Sequence, residues 1–155
     1  MRRVLILGYV DDAVTRLGDA CAGPTDCRLI GLSPAISECL RERRLPHVSV
    51  LEYVGSTEWE AIHEEIGRVL QGLSATVPDV NWLDDWSHLI VDEARALVFW
   101  SQVARRILDV EHPSEVFIQK PLESHPSHHA LISIASAYRL LGQQVQSWQD
   151  HRCVG

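Results

Sequence analysis

No stretch of this chain approaches the ~20 consecutive apolar residues that a membrane-spanning helix requires. The start, Met1-Arg2-Arg3, leads into only the short run Val4-Leu5-Ile6-Leu7 before Gly8. A secretory leader needs an apolar region of roughly 7–15 residues, so a cytoplasmic protein with no membrane span is expected. The cysteines Cys21, Cys27, Cys39 and Cys153 form no CxxC pair, and the Cys21–Cys27 spacing across a Gly-Pro turn is not that of a zinc knuckle. Four reduced thiols are expected. A basic excess is also absent. The formal charge of -7 disfavours nucleic acid as a partner, because neutralising phosphates needs a basic surface. The one basic cluster, Arg41, Arg43 and Arg44, falls at a predicted helix C-terminus, where it suits the helix dipole. The chain carries no complete dinucleotide-binding glycine fingerprint, no G-x-S-x-G and no H-E-x-x-H. It also has no internal repeat, low-complexity tract or linker.

What is present is a globular mixture, 46% hydrophobic and 23% charged over 155 residues, enough for one domain with a proper core. Short apolar runs alternate with helical periodicity. Strands are predicted at Arg3–Tyr9, Cys27–Leu32, Val48–Tyr53, Glu115–Gln119 and Gln144–Trp148. The first is apolar throughout, as suits a strand covered on both faces, and the last is polar enough for an edge. Asp11-Asp12 suit a helix start, and Gly23-Pro24 ends that helix. Ser33-Pro34 opens the next helix, with Ser as N-cap and Pro at the first position. Thr57-Glu58-Trp59-Glu60 has the form of a capping box ahead of Ile62, Ile66 and Leu70. Trp82, Trp86, Trp100, Val103 and Ile107 keep helical phase over Trp82–Val110, a helix long enough to expect a break near Asp84–His88. Ser127 is placed to cap a helix over His128–Leu141, which Gly142 ends. The order β-α-β-α-β-α-α-β-α-β predicts a Rossmann-like three-layer α/β domain. Its sheet is mostly parallel, with about five strands, and a long helix lies between strands 3 and 4.

In open sheets of this kind ligands sit beyond the carboxyl ends of the strands. That rule selects Gly8–Asp12, Leu32–Ser33, Tyr53–Ser56, Lys120–His129 and Trp148–His151, with Gly8, Tyr9, Asp11, Asp12, Lys120 and His125 as the candidate ligand-binding residues. Gly8 would let the backbone turn close to a ligand. Asp11 and Asp12 would repel a phosphate there. They read as an acidic helix start, or as part of a Mg²⁺ site if further carboxylates converged. His125, His128 and His129 lie within five residues, but Pro126 breaks the i,i+4 relation between His125 and His129. A solvated loop, a substrate contact or a general base are the readings left open, and no metal or cofactor is expected. Lys120 could meet an anionic ligand or simply be a solvated strand end. The tryptophan stripe suits core packing, or a homodimer seam along the Trp82–Val110 helix.

Beyond the individual residues, Phe99–Trp148 resembles the end of the N-terminal domain of bacterial GT-B glycosyltransferases of surface-polysaccharide type. The resemblance rests on three runs. The first is Trp100 with Val103-Ala104-Arg105-Arg106-Ile107-Leu108. The second is His112-Pro113-Ser114-Glu115-Val116-Phe117-Ile118, and the third is Ala135 with Tyr138-Arg139-Leu140-Leu141-Gly142-Gln143-Gln144-Val145. It covers most of the chain in layout and about a third in pattern, and many Rossmann-like domains share it. It implies an acceptor-side domain with a sugar or nucleotide-sugar ligand, incomplete for transfer without a second domain. In such folds Gly8–Asp12 and Lys120–His129 face the interdomain cleft. Asp11-Asp12 and Lys120-Pro121 also resemble response-regulator receiver domains, which implies a partner-binding module. Leu51-Glu52-Tyr53-Val54 stands where that family has its phosphoacceptor Asp. A small enzyme or ligand-binding protein using the same strand-end crevice is the third reading.

Overall fold

The computed structural model describes residues 2–11, 14, 26–54, 58–76 and 87–148. Five strands, β1 (Arg3–Leu7), β2 (Cys27–Gly31), β3 (Val48–Ser49), β4 (Glu115–Gln119) and β5 (Val145–Trp148), form one sheet in the order β3-β2-β1-β4-β5. Every neighbouring pair is parallel. Helices described over their length are α1 (Pro34–Glu42), α2 (Glu58–Thr76), α3 (Ser87–Glu111) and α4 (His128–Leu140). This is the expected Rossmann-like three-layer α/β fold. β1 is central because Val4, Leu5, Ile6 and Leu7 are all buried, and only a strand covered on both faces can hide four consecutive apolar side chains. β2 and β3 extend the sheet to one side, and β4 and β5 to the other. The chain order therefore reverses between β1 and β4, which is the switch point where such sheets leave a crevice.

The third strand is shorter than expected. Val48–Ser49 pairs with β2, and Val50–Tyr53 turns into a 3-10 helix instead of continuing the strand. The cause is local. Ser49 and Glu52 form a reciprocal capping box, the Ser49 hydroxyl accepting from the Leu51 N–H at 3.3 Å and the Glu52 carboxylate from the Ser49 N–H at 3.4 Å. The apolar alternation survives the change, since Val50 and Tyr53 are still buried.

Helix boundaries follow capping chemistry. Ser33 accepts from the Ile36 N–H at 3.3 Å, and Pro34 sits in the first turn of α1. α1 ends with Leu45 N–H donating to the Leu40 carbonyl at 2.9 Å and Arg44 N–H to Arg41 at 2.9 Å, with Arg44 left-handed at φ 56. α4 ends the same way at Gly142, φ 74. α3 runs 25 residues, roughly 37 Å. Val103, Ala104 and Ile107 from α3 and Leu131, Ile134 and Tyr138 from α4 join the sheet in one core. A smaller cluster, Ile62 and Ile66 of α2 with Val98 of α3, fixes α2 on the outside of α3. Trp100 packs on the main core and meets Phe99 edge to face at 4.9 Å. Trp82, Trp86, Asp84 and Thr57 lie outside the described residues, as do Ala13, Leu17 and Cys21 of the first predicted helix. Among the described residues no helix is long and apolar enough to cross a membrane.

Candidate functional site

At the carboxyl edge of β1 and β2 a cleft of about 770 Å³ opens between the β1 turn, the start of α1 and the loop into α4. It falls in the size range of small-molecule sites. Val10, Leu32, Ile36 and Leu122 make its walls apolar, while Tyr9, Asp11, Ser33, His125 and Ser127 supply the polar groups. Among the described residues lining it there is no Lys or Arg.

The β1 turn that borders the cleft is held from behind by Gln119, the last residue of β4 and 1% exposed. Its side-chain oxygen accepts from the Gly8 N–H at 3.0 Å and the Tyr9 N–H at 3.1 Å. These two donors open the β1 turn, where a nucleotide-binding domain would place a phosphate. Here the chain's own carboxamide fills them. The register explains why: Ile6 lies opposite Ile118, so Gln119 follows on β4 level with the end of β1. The other end of the same carboxamide, Nε2, is buried without a partner among the described residues.

Gly8 proves to be a packing glycine. A Cβ added there would lie 2.7 Å from both Leu131 Cδ1 and Ser127 Oγ, closer than real side chains approach. The residue is small so that α4 can dock on the β1 turn, and it also lines the cleft. Tyr9 is buried, donates its hydroxyl to the Lys120 carbonyl at 2.8 Å and lays its ring 5.4 Å from that of His125. Burial, helped by the nearby Asp11 charge, raises the Tyr9 phenol above its ordinary pKa. Asp11 accepts from the Val14 N–H at 2.9 Å, the capping role its position implied.

His125 and Ser127 form a pair. The Ser127 backbone N–H reaches His125 Nδ1 at 3.1 Å, and since a backbone N–H only donates, Nδ1 carries no proton. The Ser127 hydroxyl, 2.7 Å from the same nitrogen, is therefore the donor in their side-chain hydrogen bond. The neutral ring keeps its proton on Nε2. Ser127 stands at the expected N-cap position of α4 but makes no side-chain cap, because its backbone is already helical, at φ -77 and ψ -4, instead of extended as a capping residue requires. Among the described residues the His129 and Ala130 N–H groups, in the first turn of α4, have no partner.

The structure thus brings Gly8, Tyr9, Asp11 and His125 to one cleft. Lys120 contributes only its backbone, and its exposed side chain is not among the described lining residues. Asp12 lies outside the described residues. The three histidines do not converge: His125 turns to Ser127, while the His128 and His129 rings meet edge to face at 5.6 Å. No group of three or more potential metal ligands gathers among the described residues. Sequence reasoning missed Gln119 and Ser127 as site residues. The available signals were a lone carboxamide closing the apolar strand Val116-Phe117-Ile118 and a hydroxyl two residues after a histidine. Compared with family models, with curated proteins and with solved structures, the chain finds no match.

Proposed function

We propose that this chain is a ligand-binding α/β domain whose cleft takes a neutral, hydroxyl-rich molecule of sugar type, as the acceptor side of a glycosyl transfer. One observation carries the reading. The Gln119 carboxamide already occupies the two amides that would receive a phosphate, and Asp11 adds a negative charge at the same rim. A nucleotide diphosphate finds no cation among the described lining residues. A sugar finds the Tyr9 and His125 rings as an apolar face, with the Asp11 carboxylate, the Ser33 hydroxyl and the His125 Nε2–H as hydrogen-bonding groups. The resemblance of Phe99–Trp148 to GT-B N-terminal domains agrees with an acceptor role, in which the nucleotide-sugar would be held elsewhere. The receiver-like reading is less favoured. Receiver domains order their strands 2-1-3-4-5, whereas here β1 lies between β2 and β4.

Saturation-transfer NMR with neutral mono- and disaccharides, and separately with uridine and guanosine diphosphates, tests the proposal. Transfer to neutral sugars that Tyr9→Ala removes is the expected result. Binding of the diphosphates without binding of any neutral sugar overturns it.

A further inference from the structure

Apart from what the cleft binds, the pair His125–Ser127 has the groups of a nucleophile and its base. We infer that Ser127 is an acyl-accepting nucleophile and that the cleft hydrolyses carboxylic esters with apolar acyl groups. The inference rests on the cleft being the ligand site, but not on the ligand being a sugar.

Four observations support it. The Ser127 hydroxyl donates to an unprotonated imidazole nitrogen at 2.7 Å, the arrangement in which a base can take the proton of an attacking hydroxyl. Both residues line the cleft, so the pair faces a volume large enough for a substrate. The His129 and Ala130 N–H groups stand unpartnered two and three residues further on, at the positive end of a 13-residue helix, and Ala130 also lines the cleft. Donors of that kind stabilise the oxyanion of a tetrahedral intermediate. Finally, Val10, Leu32, Ile36 and Leu122 offer an apolar wall for an acyl chain, and no Lys or Arg among the described lining residues would hold a phosphate in its place.

In the first step Ser127 Oγ bonds to the ester carbonyl carbon while its proton passes to His125 Nδ1. Collapse of the intermediate breaks the bond to the alkoxy oxygen, which leaves with the proton from Nδ1. Water then adds to the acyl-serine, giving its proton to the same nitrogen, and the carboxylic acid departs as the proton returns to Ser127. Gly8 belongs to this arrangement as a positioning residue, because any side chain there would meet Ser127 Oγ.

The test uses the intact chain, p-nitrophenyl acetate and an alkyl fluorophosphonate, with peptide mass spectrometry to locate the phosphonyl adduct. The expected adduct is on Ser127, absent in Ser127→Ala, and formed about 10²–10⁴-fold more slowly in His125→Gln, which keeps a hydrogen-bonding side chain but no base. Ester hydrolysis should fall in parallel. Adduct mapping on the unaltered chain decides the matter even if a variant fails to fold. No adduct at Ser127, or an unchanged rate in His125→Gln, overturns the inference. Sugar binding measured on the unaltered chain stands or falls separately, so labelling without sugar binding would refute only the acceptor reading, and sugar binding without labelling only this one.

Discussion

The Tyr53 hydroxyl donates to the Glu111 carboxylate at 2.6 Å, joining the 3-10 turn after β3 to the last residue of α3. Glu111 is 4% exposed, and its second oxygen takes Arg2 at 2.9 Å and Arg28 at 3.3 Å. One carboxylate thus ties together the entries to β1 and β2 and the approach to β4, at the amino edge of the sheet, opposite the cleft.

Because the Arg2 and Arg28 side chains are 37% and 43% exposed, water can replace much of what they contribute. Tyr53 is buried, and its loss strands a carboxylate oxygen. Tyr53→Phe is expected to cost about 1.5–3 kcal/mol, the usual range for a hydrogen bond to a charged group, measured by urea denaturation. A cost below about 0.5 kcal/mol would mean that solvent already serves that oxygen.

The same pair sets a pH dependence. Burial would raise the Glu111 carboxyl, but the Tyr53 hydroxyl and the Arg28 and Arg2 guanidiniums outweigh it and hold the pKa below the usual value. A lowered folded-state pKa means the unfolded chain binds the proton more readily. The stabilisation is then present above the unfolded value of about 4.3 and is lost as pH falls through the folded one. Tyr53 is shifted upward by burial and by Glu111, and Tyr138 by burial, so their contribution is present below about pH 10 and is lost as pH rises beyond it. Urea midpoints measured across pH should therefore fall at both ends. Glu111→Gln should flatten the acid limb, and Tyr138→Phe should flatten part of the alkaline one. Unchanged limbs in these variants would place the titrating groups elsewhere.

Arg44 closes α1 in the left-handed region, where a Cβ costs roughly 1–2 kcal/mol. Glycine removes that strain and returns part of it as unfolded-state entropy. Arg44→Gly is expected to raise stability by up to about 1 kcal/mol by thermal or urea denaturation, since the Leu45–Leu40 backbone bond that closes the motif does not depend on the side chain. Destabilisation would show that the guanidinium makes a contribution larger than the strain.

How much of this was visible beforehand can be read from single residues. Val4–Leu7 declared a buried parallel strand by its composition, and Ser33-Pro34 declared a helix start, because both signals are local. Ser49 and Glu52 carried an equally local signal, the Ser-x-x-Glu pattern, but the apolar alternation around Val50 and Tyr53 fits a strand and a 3-10 turn alike. For Gly8 the sequence shows a missing side chain but not what presses against it. Leu131 lies more than a hundred residues away. Glu111 and Gln119 were illegible for the same reason. Their partners Arg2, Arg28, Gly8 and Tyr9 are brought near only by the strand order, and strand order is a property of the whole sheet.

Gly8→Ala provides a direct measure of that long-range contact. The new methyl would have to displace Leu131, Ser127 or both, and overpacking of this kind costs about 1–3 kcal/mol. Shortening the neighbour should recover part of the loss. The double variant Gly8→Ala with Leu131→Val is therefore expected to be more stable than the sum of the two single effects, a coupling that a double-mutant cycle reads directly. Simple additivity would mean that the methyl is accommodated by the turn itself.

Gln119 should show the largest effect of any residue around the cleft. Replacing it with Leu keeps the volume but leaves the Gly8 and Tyr9 N–H groups without their acceptor. An unsatisfied buried donor costs about 1–3 kcal/mol, offset here in part because the unpartnered Nε2 also disappears. A net loss of about 2–3 kcal/mol is expected for Gln119→Leu. Gln119→Glu keeps an acceptor at the same place and should lie between Leu and the unaltered chain at neutral pH. Amide hydrogen exchange separates this from a general loss of stability: in Gln119→Leu the Gly8 and Tyr9 amides should lose more protection than Leu5 or Ile6 in the same strand. Equal loss along β1 would mean that the carboxamide merely fills space. A selective loss would show that its oxygen is the acceptor that protects the two amides.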